Sequence, residues 1–305
     1  SHPLKAYFSE PSSITFQSGE QKENVQGYLY LPTNPDYSPS EDTLPPLIIK
    51  THGGPSSAAT SALDLNIQYW TSRGFALFDI NYRGSTGFGR AFRERLYGNW
   101  GDYDVQDCLY GARHLVETKQ VNPHQIIIRG HSAGGYTTLC ALLFHDFFNA
   151  GASLYGISDL KKLSDECHKF ESHYVDKLIG SEEAFAQRYQ DRSPLYALEP
   201  VSMETEAMKK EATKKTTCPI IFMQGLKDKV VPPNQSQLMV NKLKENDVPV
   251  AYLEFPEEGH GFQLRKNRIK ALEAELMFYR SVFNIEDSEN LPLLEIFNLV
   301  SSQKK

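Results

Sequence analysis

The sequence predicts an α/β fold, a doubly wound and mostly parallel sheet with helices on both faces, and three observations predict it. Short β-rich runs alternate with helix-length amphipathic segments, the trace that strands joined by crossover helices leave in a sequence. An apolar fraction of 40% over 305 residues, with 11% aromatic residues, is enough for a substantial core. The β-branched run Ile126-Ile127-Ile128 meets a helix-like stretch beginning at Tyr136 through a sharp turn that holds Gly130, Gly134 and Gly135.

Taken in order, residues 27–31, Gly-Tyr-Leu-Tyr-Leu, read as the first strand, and the proline-rich stretch 32–46 as a surface loop leading into the first buried strand at 47–50. Residues 64–73 carry apolar side chains at helical spacing and precede a strand at 75–78; a second amphipathic helix at 104–118 precedes the strand at 125–129. A helix at 136–144 follows, then a strand at 150–155. Later come strands at 219–223 and 250–255 and helices at 235–245 and 266–282. Residues 202–217, with Lys209-Lys210 and Lys214-Lys215 among Glu and Thr, read as a solvated helix or loop. The apolar tail from Leu291 to Val300 needs a partner surface, and its own domain is the expected one, a subunit contact the alternative. No repeat or long linker breaks this pattern, so one domain at 25–284 follows, flanked by a linker segment at 1–24 and a tail at 285–305.

A net charge of −6 with scattered Lys and Arg lacks the concentrated basic face of a nucleic-acid binder. No apolar run approaches the roughly 18 residues of a membrane span, and the N-terminus shows no basic segment followed by an apolar one, so no membrane partner is expected. Cys108, Cys140, Cys167 and Cys218 show neither C-x-x-C nor metal-ligand spacing. They read as buried reduced thiols in a cytoplasmic setting, with no metal or other cofactor. The start at Ser1-His2, without methionine, is expected of a processed or excised piece.

Chemistry centres on Gly130-His131-Ser132-Ala133-Gly134-Gly135, a G-x-S-x-G turn between strand and helix. Such a turn holds its serine in a strained conformation that lifts the hydroxyl from the sheet, and glycines on either side let the backbone pass close by. It is the nucleophile elbow of the α/β-hydrolase fold. A serine hydroxyl is a poor nucleophile unless an imidazole takes its proton and a carboxylate holds that imidazole in the right tautomer. In this fold both partners follow the serine on loops at the carboxyl ends of later strands. Asp228, after the strand at 219–223, and His260, after the strand at 250–255, occupy those places. Asp159, one strand earlier, is the competing acid, although it can equally cap the helix after it. His131 cannot fold back on its own neighbour, and His114, His124 and His145 read as surface residues. The turn Thr51-His52-Gly53-Gly54-Pro55 leaves backbone N–H groups exposed, so Gly53 and Ala133 are the expected oxyanion donors. Because His260 must be neutral to act as base, activity is expected to fall on acidification.

The stretch from Asn81 to Gly89, the His-Gly-Gly-Pro turn, Gly130 to Tyr136, Gly225 to Pro232 and Glu258-Gly259-His260-Gly261-Phe262 together resemble the catalytic domain of the prolyl oligopeptidase family, above all its acylaminoacyl-peptidase and dipeptidyl-peptidase branches. The resemblance runs from about Gly27 to Phe283. It implies a serine peptidase acting on short peptides, with Ser132, Asp228 and His260 as triad and Gly53 and Ala133 as oxyanion donors. It further implies that Ile157, Leu160 and Val231 line the pocket for the residue before the scissile bond. Members usually carry an N-terminal β-propeller over the active site. Nothing in this chain could form one, and Phe8-Ser9-Glu10-Pro11 is similar to the crossing segment, so a truncated form is expected. A homo-oligomer is compatible with this reading. The alternatives are a carboxylesterase on small esters, which uses the same machinery, and a non-catalytic interaction module. Proline after His-Gly-Gly, where lipase-type esterases more often have a third glycine, tilts against the esterase. Arg83 reads as a structural ion pair, with recognition of a substrate carboxylate or carbonyl as the other option.

Overall fold

The computed structural model describes residues 3–37, 43–166, 169–198, 218–286 and 289–299, so 202–217, Cys167 and 300–305 lie outside the described residues. Eight strands form one sheet: β1 (Ser12–Ser18), β2 (Glu23–Tyr30), β3 (Leu47–Thr51), β4 (Ala76–Asn81), β5 (Ile126–His131), β6 (Ala150–Leu154), β7 (Ile220–Gly225) and β8 (Val250–Phe255). Their order is β1-β2-β4-β3-β5-β6-β7-β8; β1, β2 and β4 pair antiparallel and every pair from β4 onward is parallel. The helices are α1 (Leu65–Thr71), α2 (Arg90–Glu94), α3 (Tyr103–Glu117), α4 (Ala133–Phe144), α5 (Leu160–Glu166), α6 (Lys169–Ile179), α7 (Glu182–Asp191), α8 (Asn234–Glu245) and α9 (Arg265–Phe283).

Strand side chains alternate between faces, and here both faces are dry. Leu47, Ile49, Phe78, Ile126, Ile128, Ile220 and Phe222 belong to a core shared with α3, α4 and α8. Ile48, Leu77, Ile127, Ile221 and Met223 belong to a second core under α1 and α9. This parity places Lys50, Asp79, Arg129 and His131 on the α1–α9 face. The register confirms it, with Lys50 opposite both Asp79 and Arg129. Arg129 is neutralised there by Glu275 of α9, Nε to Oε1 at 2.7 Å.

Helix α4 is buried along its first eleven residues and so runs through the middle of the molecule. Its first turn is tied to α3: the Thr137 hydroxyl donates to Asp104 Oδ2, and the Gly101 N–H donates to Oδ1 at 2.7 Å. Complete burial pushes the Asp104 carboxyl up to about 6 against the pull of these donors.

Strand β1 lies inside the segment that the sequence presents as a linker. Only Phe16 and Ser18 of its seven residues are buried, too thin a pattern to read as a strand. Pairing with β2 from Ser12↔Leu29 to Ser18↔Glu23 and an edge contact of Phe16 on Phe78 hold it in place. Sequence reasoning also missed the three described helices between β6 and β7, although Tyr174, Val175, Leu178 and Ile179 of α6 recur at helical spacing. The described part of the tail docks on its own domain: Phe297 exchanges backbone hydrogen bonds with Val250 at 2.9 and 3.0 Å, and Leu291, Leu294 and Ile296 pack under α9. Among the described residues no helix is long and apolar enough to cross a membrane.

Candidate active site

Ser132 joins β5 to α4 with φ 55° and ψ −123°, a left-handed backbone that only a tightly determined turn imposes on a side-chain-bearing residue. Its N–H donates to Leu154 O at 3.0 Å, and its carbonyl accepts from Tyr136 N at 3.1 Å. The glycines permit the crossing. A Cβ on Gly130 would lie 2.1 Å from Thr51 Oγ1 and 2.3 Å from Gly134 O, and one on Gly134 would lie 2.4 Å from Thr51 O.

The sheet then brings three distant loops to its carboxyl edge, where ligands of open parallel sheets bind. Ser132 Oγ lies 2.9 Å from His260 Nε2, and His260 Nδ1 lies 2.8 Å from Asp228 Oδ2. In the tautomer that fits, Nδ1–H donates to the carboxylate and Nε2 accepts from the serine. Asp228 is fixed by its own turn: Oδ1 accepts from Val230 N and Val231 N, each at 2.9 Å. The histidine loop is anchored by Glu258, whose carboxylate accepts from Gln263 N, Leu264 N and Asn267 Nδ2 at 2.8 to 2.9 Å. Lys227 N donates to Glu258 O at 2.8 Å and locks the two loops together. The Asp228 side chain is fully shielded from water while that of His260 is 24% exposed, so the carboxylate holds the ring and the ring stays accessible. Tyr155 meets the imidazole edge-on with ring centroids 4.9 Å apart. Asp159 is spent elsewhere: Oδ1 accepts from Lys162 N at 3.1 Å, capping α5, and Oδ2 accepts from Tyr196 OH at 3.2 Å.

Gly53 sits where β3 runs out beside Ser132. Ala133, the first residue of α4, has an N–H outside the helix's own ladder. The turn carrying Gly53 rests on a network that sequence reasoning missed. His52 is buried, stacks on Tyr82 at 4.2 Å, and places Nε2 2.7 Å from Ser85 Oγ and Nδ1 2.9 Å from Gly53 O. Burial pushes this imidazole down to about 4, so it stays neutral. Tyr82 OH lies 3.0 Å from Pro55 O, and Asn81 Oδ1 accepts from Ala59 N at 2.8 Å. The signal lay in the Asn81–Gly89 motif, whose polar residues directly follow a buried strand. Arg83 of that motif is built into the fold: it is 2% exposed, pairs with Asp107 through Nε at 2.9 Å, and lies over the Tyr103 ring.

A cavity of about 520 Å³ is lined by Ser132 and His260 together with Gly53, His131, Lys50, Asp79 and Asp64. Ile157, Leu160 and Val231 do not line it; they are buried in the core on the opposite, α3–α4 side of the sheet. Among the described residues no cluster of three His, Cys, Asp or Glu side chains could hold a metal ion.

Residues 61–286 match the model of the prolyl oligopeptidase family. The chain is 29% identical to the dipeptidyl aminopeptidase BIII of Pseudoxanthomonas mexicana over 84% of its own length and 36% of the relative's. It is 31% identical to the acylamino-acid-releasing enzyme of Arabidopsis thaliana over 70% of its length and 27% of that protein's. The solved structure of a puromycin-hydrolyzing peptidase from Mycobacterium tuberculosis superposes on it with a TM-score of 0.88 at 40% identity, covering 97% of this chain and 42% of that one. The chain therefore spans about a third of the length of the curated relatives it matches.

Proposed function

This chain belongs to the prolyl oligopeptidase family, and from that premise we propose that it is the catalytic domain of a serine peptidase that cleaves amide bonds of short peptides through an acyl-enzyme on Ser132. The observation that carries the reading is the unbroken relay Ser132–His260–Asp228, with contacts of 2.9 and 2.8 Å, built on a strained elbow. Ser132 Oγ attacks the scissile carbonyl as His260 Nε2 takes its proton. The oxyanion lies toward the N–H groups of Gly53 and Ala133. Each donor of such a pair is worth about 10²–10³ in rate. His260 returns the proton to the departing amine, and a water activated by the same nitrogen hydrolyses the ester. Asp228 keeps the imidazole oriented and stabilises its charged form. No step needs a metal or organic cofactor.

The acyl side of the substrate belongs on the Ile157, Leu160 and Val231 side of the elbow. The names of the relatives, a dipeptidyl aminopeptidase and an acylamino-acid-releasing enzyme, support removal of a small unit from a chain end. The family resemblance implies a β-propeller before this domain in the whole protein, which would exclude folded substrates, and the relatives' greater length leaves room for one. Cys108 and Cys140 are buried free thiols, in keeping with a cytoplasmic setting.

The test is hydrolysis of aminoacyl, acyl-aminoacyl and dipeptidyl p-nitroanilides beside p-nitrophenyl acetate and butyrate, with Ser132→Ala as control. Amide cleavage that disappears in the variant is the expected result and names the branch. Cleavage of the esters alone would replace this reading with the carboxylesterase one.

A further inference from the structure

The cavity lined by Ser132 also holds charges that the catalytic relay does not use. Lys50 and Asp79 face each other across β3 and β4, Nζ to Oδ2 at 2.6 Å. Asp79 is 2% exposed and lines the cavity, yet its Oδ1 has no hydrogen-bond partner among the described residues. A buried carboxylate oxygen without a donor is costly, and such an atom marks a place that a ligand can satisfy. Asp64 lines the same wall; Oδ1 caps α1 by accepting from Asn66 N at 2.8 Å, and Oδ2 stands 4.0 Å from Lys50 Nζ. Asp64 and Asp79 set four carboxyl oxygens against one ammonium, and Lys50 draws the Asp79 carboxyl back toward its charged form against the burial that raises it. His52 and His131, the other titratable groups on that wall beside His260, are pushed down to about 4 by burial and add no positive charge at neutral pH.

Position decides which part of a substrate enters. The leaving amine must lie against His260 Nε2 to receive its proton, and His260 lines this cavity. By register Asp79 is level with Arg129, two strands from β5 and two residues back from His131. Strand spacing and rise put about 12 Å between the Asp79 and His131 backbones, a gap that a long side chain bridges once Asp79's own reach is subtracted. The acyl-side candidates Ile157, Leu160 and Val231 pack on the other face of the sheet.

The geometry points to a leaving-group subsite: the cavity takes the residue that follows the scissile bond and selects a basic, arginine- or lysine-type side chain, whose N–H donors reach Asp79 Oδ1 and Asp64. This rests on the peptidase reading for its place in the reaction, but the binding itself can be measured without turnover.

Calorimetry on the Ser132→Ala protein with argininamide, against the neutral isostere citrullinamide, reads the subsite directly. Argininamide is expected to bind at least about tenfold more tightly, the scale of a hydrogen bond to a charged group, and Asp79→Asn or Asp64→Asn to bring the ratio toward one. Asn keeps the α1 cap at position 64, so that variant stays readable if Asp79→Asn fails to fold. In turnover, peptides differing only in the residue after the scissile bond should show kcat/KM higher by about 10–100-fold for Arg than for Ala, with Glu lowest. Equal binding of the two amides, or no preference for Arg, overturns the subsite. Selective binding without peptide turnover leaves the subsite standing and refutes the peptidase reading instead.

Discussion

Asp228→Asn changes one atom, and the local hydrogen bonds dictate where it goes. Oδ1 accepts from two backbone N–H groups, Val230 and Val231, at 2.9 Å each, so the amide keeps its oxygen there and presents its NH₂ to His260 Nδ1 2.8 Å away. Turning the amide round would set two buried donors against an NH₂, at about 1–3 kcal/mol each. The ring gives way instead: Nδ1 becomes the acceptor, the proton moves to Nε2, and Nε2 then points an N–H at Ser132 Oγ rather than a lone pair. A wrong tautomer of this kind costs about 10⁴ in kcat, or about 5.5 kcal/mol of barrier. Asp228 touches no substrate in this account, so KM should hold. The assay is steady-state hydrolysis of the best p-nitroanilide by wild type, Asp228→Asn and Asp159→Asn, with melting curves to show equal folding. A loss in Asp228→Asn smaller than about tenfold, or an equal loss in Asp159→Asn, would refute the assigned tautomer relay.

The buried carboxyl of Asp104 makes stability depend on pH. Burial raises it from 3.8 to about 6, so between those values the folded state holds a proton that the unfolded state has lost, and stability falls as pH rises through the window, by about 3 kcal/mol in all. Asp104→Asn should remove that slope; urea midpoints at pH 4 and pH 7 that shift in parallel for wild type and variant would contradict it. Gly130→Ala drives a Cβ to within 2.1 Å of Thr51 Oγ1 and should shift the elbow, lowering kcat/KM by at least about 10²-fold; unchanged kinetics in a folded variant would show the turn to be pliable. Arg83→Ala strands the fully buried Asp107 and should cost about 3–5 kcal/mol of stability with KM unchanged, so a normal melting temperature with a raised KM would make Arg83 a substrate residue after all.

The parallel strands were legible because each is a short apolar run, and Ser132, Asp228 and His260 because each sits between glycines or turn residues just after one. Other features depend on partners far away in the chain. Asp79 lies inside β4, yet the sequence pattern ends that strand at residue 78, since nothing local reveals that Lys50 on the next strand neutralises the carboxylate. His52 looks like part of a glycine turn and becomes a structural element only once β4 delivers Tyr82 and Ser85 to it. Strand β1 is polar on one side and thinly apolar on the other, so only its pairing with β2 reveals it. Of the described helices between β6 and β7, α6 does carry an apolar stripe, Val175, Leu178 and Ile179 at helical spacing in the core, which sequence reasoning passed over because it lies in an insertion among charged residues.

The central claim is that Ser132 is a nucleophile activated by His260 and held by Asp228. Labelling with a fluorophosphonate probe, followed by mass spectrometry of the peptides, tests it most directly. The account predicts one adduct per chain, located on Ser132, absent in Ser132→Ala and strongly slowed in His260→Ala. A folded protein that takes no label, or takes it on another serine, would contradict it.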